Sequence, residues 1–210
     1  MGLPMTIEMA KKARELSATG KNVISLSLGE PDFDTPDFIK EAAGQAMEEN
    51  YTHYMPVPGF LDVRESIAAK FKRDNGIDYT ADQIVISTGA KQSLLNIFLA
   101  LVNPGEEVII PAPYWVSYMD QAKYCGADVK VLPTTMEGGF KITADQLEEA
   151  ITPKSKVLIF SSPNNPCGAI YSKEDLAAIA AVVAKHPNLY IISDEIYELL
   201  NYGEVKHVSI

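Results

Sequence analysis

The sequence predicts an α/β fold in which helices flank a mostly parallel sheet. Short, β-branched apolar runs recur from residue 84 onward, each bounded by turn residues, as is typical of buried parallel strands. Helix-length segments with capping signals alternate with these runs. Polar residues cluster directly after the last two runs, in 161–168 and 193–197. Because open α/β sheets bind ligands at the carboxyl ends of their strands, the sequence predicts a ligand crevice along that edge.

The N-terminal part is predicted to be mainly helical. Apolar residues at helical spacing predict an amphipathic helix over 5–17. Alternation over 24–28 predicts a short, half-buried strand. A second helix is expected to run to residue 49, with Thr35 as its N-cap and Pro36 in its first position. A third helix is expected over 60–74.

Strands and helices alternate through the rest of the chain. The predicted strands are 84–86, 108–110, 129–132, 156–160 and 190–193. The predicted helices are 92–102, 116–124, 143–151 and 172–185. Thr143 with Gln146 matches a capping box, and Ser172 is the expected cap of the last helix. This alternation predicts a parallel sheet.

Composition excludes several classes of function. The chain has 210 residues and a net charge of −10, which argues against a nucleic-acid surface. No apolar run approaches the roughly 20 residues of a membrane span, and no signal peptide is recognisable at the N-terminus, so a cytoplasmic protein is expected. Cys125 and Cys167 are too few for a disulfide framework and too isolated for a metal site.

Residues 87–93 lie between a predicted strand and a predicted helix and form a candidate phosphate site. Gly89 permits a tight turn, and the backbone amides at the start of the helix suit an anion. The glycines of a dinucleotide fingerprint or a Walker loop are absent. An ordinary strand-to-helix turn fits the same residues. Lys91 falls in the first helical turn, which favours a structural or electrostatic role over Schiff-base chemistry.

Four further residues complete the candidate crevice. Trp115 follows the second predicted strand and suits stacking on a flat ring, while Asn165, Asp194 and Tyr197 follow the last two. Taken singly, each fits a core anchor, a turn or a helix cap. Taken together they suit a phosphorylated pyridine, because a carboxylate keeps the ring nitrogen protonated while an amide and a phenol bind the ring oxygen.

Six segments, in order along nearly the whole chain, resemble the fold-type I pyridoxal-phosphate (PLP) aminotransferases. The likeness is greatest to the bacterial aspartate aminotransferase branch of class I. The segments are 27–33, 51–59, 87–92, 113–118, 162–168 and 193–197. The resemblance implies an N-terminal arm or small-domain segment over 1–47 and an incomplete large PLP-binding domain over 48–210.

The resemblance also implies how the cofactor is held on its phosphate side. Ala90 and Lys91, after Gly89, would supply backbone amides to the phosphate. Trp115 would stack on the pyridine ring. Tyr54 would reach the phosphate of a neighbouring subunit, because the active sites of this family are shared across a homodimer.

The remaining implied roles concern the ring and the substrate. Asp194 would pair with the ring nitrogen, and Asn165 and Tyr197 would bind the ring oxygen. Substrate would be bound by Gly29, Trp115 and Asn165, with the Gly29 backbone and Asn165 near its carboxylate. Amino-acid and 2-oxo-acid substrates are implied, with aspartate and 2-oxoglutarate as the expected pair.

This sequence also departs from the family pattern. Cys167 stands where the family usually has Thr, a change that we expect to be tolerated. The family's Schiff-base lysine and substrate-binding arginines would lie beyond Ile210, and so would two strands that fit between 84–86 and the other strands. We therefore expect this chain to be part of a protein about twice as long and to be inactive alone. No residue of the chain is assigned as catalytic.

Other functions remain open at this point. The same fold and cofactor also suit a β-lyase, a decarboxylase or an aminotransferase with another amino donor. A non-catalytic fragment that binds PLP or dimerises is a second alternative. A nucleotide-binding domain is disfavoured by the missing glycine fingerprint.

Overall fold

The computed structural model describes residues 5–26, 29 and 33–210, which form two compact units, Met1–Met55 and Pro56–Ile210. The first unit contains helices α1 (Met5–Ala18) and α2 (Asp37–Glu48). Both helices were predicted. The predicted domain division at 47–48 stays a prediction.

Two details of the first unit differ from expectation. Residues 24–26 form no strand, and residues 27 and 28 lie outside the described part. The helix α2 begins after Pro36, which is its N-cap, instead of after Thr35. Pro36 keeps an extended backbone (φ −51°, ψ 140°), and its carbonyl accepts from the N–H groups of Ile39 and Lys40. The helical conformation therefore starts one residue later than predicted.

The second unit opens with a helix that changes its winding. Helix α3 (Leu61–Lys70) continues into a π-helical turn over Phe71–Asn75 and ends at Gly76, whose φ of 72° is left-handed. The sequence predicted one helix that ends at this glycine but gave no sign of the π turn. A 3₁₀ turn over Ala81–Gln83, with a capping box from Thr80, was also not predicted.

The rest of the second unit is the predicted parallel sheet with its helices. The strands are β1 (Glu107–Pro111), β2 (Asp128–Leu132), β3 (Ser155–Ser161) and β4 (Tyr190–Asp194). The helices are α4 (Ala90–Leu101), α5 (Ser117–Tyr124), α6 (Ala144–Ala150) and α7 (Lys173–Val183). The strand order is β2-β1-β3-β4 and every pair is parallel. Thr143 and Ser172 form the predicted caps of α6 and α7.

The predicted strand over 84–86 is wrong. Ile84 is extended, but none of the described strands pairs with this segment. The N–H of Ile86 donates instead to the carbonyl of Pro58 at 3.0 Å. Gly59 has a φ of +97°, and a Cβ there would lie 2.6 Å from Cδ1 of Ile86. An apolar segment becomes a strand only beside a hydrogen-bonding neighbour, which the local pattern does not reveal.

Successive residues of the strands face opposite sides of the sheet, and each side has its own core. Val108 and Ile110 pack with Phe98 and Tyr118, on the side of α4 and α5. Ile109 packs on the other side, with buried residues of α6 and α7. Each of these side chains is fully buried, which explains why the central strands β1 and β3 are largely apolar. Among the described residues, no helix is both long enough and apolar enough to cross a bilayer.

Candidate functional site

Asn165, Asp194 and Tyr197 of the candidate crevice lie just past the carboxyl ends of β3 and β4 or at the end of β4 itself. Strands β1, β3 and β4 are parallel neighbours, so the segments that follow them meet at the carboxyl edge of the sheet. The Tyr118 hydroxyl, in the first turn of α5, donates to Oδ2 of Asp194 at 2.6 Å, although 76 residues separate the two in sequence. This bond joins the segment after β1 to the end of β4.

The Asp194 carboxylate is held in one orientation. Its Oδ2 accepts from Tyr118, and its Oδ1 accepts from the N–H of Ile196 at 3.3 Å. Its backbone carbonyl accepts from the N–H of Ser162 at 3.2 Å, just beyond the ladder between β3 and β4. A carboxylate fixed by several bonds at a strand end is preorganised to face a cationic or protonated group.

Tyr118 is the site residue that sequence reasoning missed. Its side chain is 0% exposed. Burial, followed by the hydrogen bond to Asp194 and the negative charge of that residue, raises the pKa of Tyr118 well above its ordinary value. The hydroxyl therefore stays protonated and remains a donor to Asp194 throughout the physiological range. A tyrosine in the first turn of a helix carries no signal of this role; only the strand order brings it to Asp194.

Asn165 and Tyr197 also come together. Nδ2 of Asn165 donates to the hydroxyl of Tyr197 at 3.3 Å, across the loops that follow β3 and β4. The backbone N–H of Asn165 donates to Oγ of Ser161, the buried last residue of β3. The pair therefore presents an amide and a phenol side by side at the carboxyl edge.

Gly89 is the N-cap of α4 and has a φ of +81°, a left-handed conformation that favours glycine. The carbonyl of Gly89 accepts from the N–H groups of Gln92 and Ser93. The N–H groups of Ala90 and Lys91 lie in the first turn of α4 and have no acceptor among the described residues. Such free amides at the start of a 12-residue helix suit an anion. Binding of a phosphate by these amides stays a prediction.

Lys91 and Trp115 join this helix start to the rest of the crevice. The ammonium of Lys91 lies 4.9 Å from the centroid of the Trp115 ring, and Nε2 of Gln121 donates to the Lys91 carbonyl at 2.8 Å. Trp115 meets Tyr118 edge to face, with centroids 5.6 Å apart. Direct contacts thus link four residues in a row: Lys91, Trp115, Tyr118 and Asp194.

The two remaining predicted residues belong to the other unit. Gly29 and Tyr54 lie within Met1–Met55, and both are exposed. Their roles in binding the substrate carboxylate and a neighbouring phosphate stay predictions.

A second cluster of ionisable groups follows β4. Ligand atoms of Glu195, Glu198 and His207 lie within 4.8 Å of one another. The ammonium of Lys70 contacts both carboxylate oxygens of Glu198, at 2.6 and 2.7 Å, so this carboxylate already has a cationic partner. Nε2 of His207 lies 3.1 Å from Oε2 of Glu195. We assign no metal to this cluster.

In chemical terms, the crevice offers free amides for a phosphate, an indole ring, a neighbouring amide and phenol, and a fixed carboxylate. These groups suit a flat, phosphorylated nitrogen heterocycle whose nitrogen is protonated. These groups come from four separate segments of the chain, and the strand order accounts for the contacts among the segments after β1, β3 and β4.

Comparison with known proteins agrees with this fold. The family described as "Aminotransferase class I and II" matches residues 21–210. An aspartate/prephenate aminotransferase of Cereibacter sphaeroides is 49% identical over 199 residues, which are 95% of this chain and 50% of that protein. The aspartate aminotransferase of Bacillus subtilis is 46% identical over 98% of this chain and 52% of its own length.

Solved structures show the same relationship. The aspartate aminotransferase of Thermus thermophilus, solved with maleate, superposes with a TM-score of 0.95 at 43% identity, covering 100% of this chain and 54% of that one. The aspartate aminotransferase of Rhizobium meliloti gives 0.95 at 38% identity. The chain spans about half the length of the curated relatives that it matches. By the extent of these matches, the chain belongs to the class I and II aminotransferase family.

Proposed function

We propose that the whole protein to which these residues belong is a PLP-dependent aminotransferase. Its proposed reaction is amino-group transfer between L-aspartate and 2-oxoglutarate. The observation that carries the proposal is the Asp194 carboxylate, fixed by the 2.6 Å bond from Tyr118 at the edge where Asn165 meets Tyr197. When bound, PLP supplies an electron-accepting ring for the carbanion that forms as the amino acid loses its α-proton.

Each group of the crevice has a proposed task toward this cofactor. The free N–H groups of Ala90 and Lys91, after Gly89, would bind the phosphate. Asp194 would hold a proton on the ring nitrogen, and Tyr118 would keep the carboxylate oriented for it. The proposal is supported by the fact that the Tyr118 hydroxyl remains a donor at physiological pH.

Asn165, Tyr197 and Trp115 would complete the binding of the ring. The amide and the phenol, 3.3 Å apart, would both donate to the ring oxygen. Trp115 would stack on the ring, and Lys91 would shift from the indole toward the phosphate. Lys91 is exposed, so this movement would cost little.

The substrate part of the proposal is supported by the names of the relatives. Two of them are named for aspartate, and the Thermus structure contains maleate, which is a dicarboxylate. We propose Gly29, Trp115 and Asn165 as the contribution of this chain to substrate binding. The Schiff-base lysine and the carboxylate-binding arginines are proposed to come from outside the 210 residues. A cytoplasmic homodimer with shared sites, in which Tyr54 reaches the partner's phosphate, completes the proposal.

The test compares the 210-residue chain with the whole protein. We expect both to bind PLP, measured by quenching of tryptophan fluorescence in the chain, which has a single tryptophan, and by ultrafiltration for the whole protein. After borohydride treatment, only the whole protein should carry PLP covalently, as intact mass would show. Only the whole protein should convert aspartate and 2-oxoglutarate into oxaloacetate and glutamate.

Two variants distinguish a loss of PLP binding at the proposed site from a general effect of removing a negative charge. Asp194→Asn should weaken PLP binding, while Asp120→Asn, an exposed residue of α5, should leave it unchanged. Release of pyruvate, ammonia and a thiol from a cysteine thioether, without amino-group transfer, would favour a β-lyase. Turnover of aspartate by the 210-residue chain alone would contradict the proposed origin of the lysine, and no saturable PLP binding by either protein would contradict the function.

A further inference from the structure

The Asn164 side chain connects the loop after β3 to the loop after β1. Its Nδ2 donates to the carbonyl of Pro113 at 3.2 Å and to Oγ of Ser161 at 3.4 Å. Its Oδ1 accepts from the N–H of Cys167 at 3.3 Å and from the Cys167 thiol at 3.0 Å. All four hydrogen-bonding positions of the amide are therefore used.

Backbone pairing does not provide this connection. The paired residues of β1 and β3 end at Ile109 and Leu158, before either loop begins. Among the described residues, no backbone hydrogen bond joins the loop at Pro113 to the loop at Asn164. The side chain of Asn164 joins the two loops instead, through its hydrogen bond to the carbonyl of Pro113.

Each of the two loops carries a residue of the candidate crevice. Trp115 lies two residues after Pro113, and Asn165 directly follows Asn164. The Ser161 hydroxyl accepts from both Asn164 Nδ2 and the N–H of Asn165, so it fixes the two asparagines relative to β3. Cys167 orients the amide so that its NH₂ group, and not its oxygen, faces Pro113.

We propose that Asn164, oriented by Cys167, is a positioning residue that sets the spacing between Trp115 and Asn165. It acts through Pro113 and Ser161 and does not itself touch a ligand. The ligand part of this inference rests on the proposed function, whereas the spacing of the loops does not. Loss of the amide would release the Trp115 loop while the ladder and both cores stay intact.

The single tryptophan provides a direct readout in the 210-residue chain. We expect Asn164→Ala to change the acrylamide quenching constant of Trp115 by about twofold in the absence of ligand. In a PLP titration we expect the Kd to rise up to about tenfold, as loss of one or two such hydrogen bonds would produce. Cys167→Ser, which keeps a donor, should behave as wild type, and Cys167→Ala should fall between wild type and Asn164→Ala.

Asn103→Ala is the matched control. Nδ2 of Asn103 donates to Glu106 at 3.2 Å, before the amino end of β1, so this variant loses a side-chain hydrogen bond far from the crevice. It should leave quenching and PLP binding unchanged. If Asn164→Ala does not fold, Asn164→Asp tests the same point, because it keeps the acceptor for Cys167 but loses both donated bonds.

The outcomes separate this inference from the proposed function. Quenching in a folded Asn164 variant that matches Asn103→Ala would overturn the positioning role, whatever the affinity for PLP. Altered quenching, with no PLP binding by either the chain or the whole protein, would support the positioning role and contradict the function. Altered quenching together with a higher Kd for PLP would support both.

Discussion

Removing the Tyr118 hydroxyl should destabilise the second unit and loosen the Asp194 carboxylate. The side chain is 0% exposed, and its 2.6 Å bond goes to a carboxylate. A hydrogen bond to a charged group contributes about 1.5–3 kcal/mol. We expect Tyr118→Phe to lower the free energy of unfolding by that amount at pH 8, measured by urea denaturation with far-UV circular dichroism. That signal does not depend on Trp115, which contacts Tyr118.

The effect should depend on pH in a defined direction. Because the pKa of Tyr118 is raised on folding, its contribution is fully present below the unfolded value of about 10. It is lost as the pH rises from there toward the folded pKa, by about 1.4 kcal/mol per pH unit. The difference in unfolding free energy between wild type and Tyr118→Phe should therefore narrow above pH 10.

Tyr171→Phe is the matched control. Tyr171 is also buried, and its hydroxyl accepts from the N–H of Ile142, away from the crevice. Burial raises its pKa to about 12. Both variants should lose stability, but only Tyr118→Phe should weaken PLP binding. An unchanged urea midpoint for Tyr118→Phe, or an equal loss of PLP affinity in both variants, would refute the reasoning.

Two further predictions concern single residues. Gly89→Ala should lower the thermal midpoint through backbone strain of about 1–2 kcal/mol, because φ is +81°; no atom lies within 4 Å of the added Cβ, so a steric clash does not contribute. Gly44→Ala, at an equally open position in α2, should raise the thermal midpoint because alanine favours a helix. Equal shifts of the thermal midpoint in the two variants would contradict the strain at Gly89. Burial raises the pKa of Asp175, but bonds from Lys141 and Ser172 outweigh burial and leave the pKa lowered. Asp175→Asn should therefore cost up to about 1 kcal/mol at pH 7 in urea denaturation, and the difference from wild type should shrink below about pH 4; a constant difference from pH 7 to 3 would contradict this.

The central strands of the sheet, β1 and β3, could be predicted because they are buried on both faces. Continuous apolar runs such as 156–160 then stand out, and the caps at Thr143 and Ser172 mark the following helices. The 84–86 run has the same character but no strand beside it, so pattern alone gave the wrong answer. The composition of a segment therefore indicates whether the segment is buried, but it does not indicate whether another strand lies beside it.

The site was predictable to the extent that it depends on strand ends. Asn165, Asp194 and Tyr197 follow strands, and parallel pairing brings strand ends to one edge. The contacts of Tyr118 and Asn164 could not be predicted, because they depend on which strands are neighbours and on how a loop turns.

The two outer strands of the described sheet differ in the charged residues that they carry. β2 carries Asp128 and Lys130, charges that discourage another strand from pairing there. β4 has only Asp194 at its end, and a largely apolar groove of about 690 Å³ runs beside Ile191 and Ser193. An outer strand without such charges can pair with a β-segment of another molecule, so self-association of the 210-residue chain at high concentration would begin at β4.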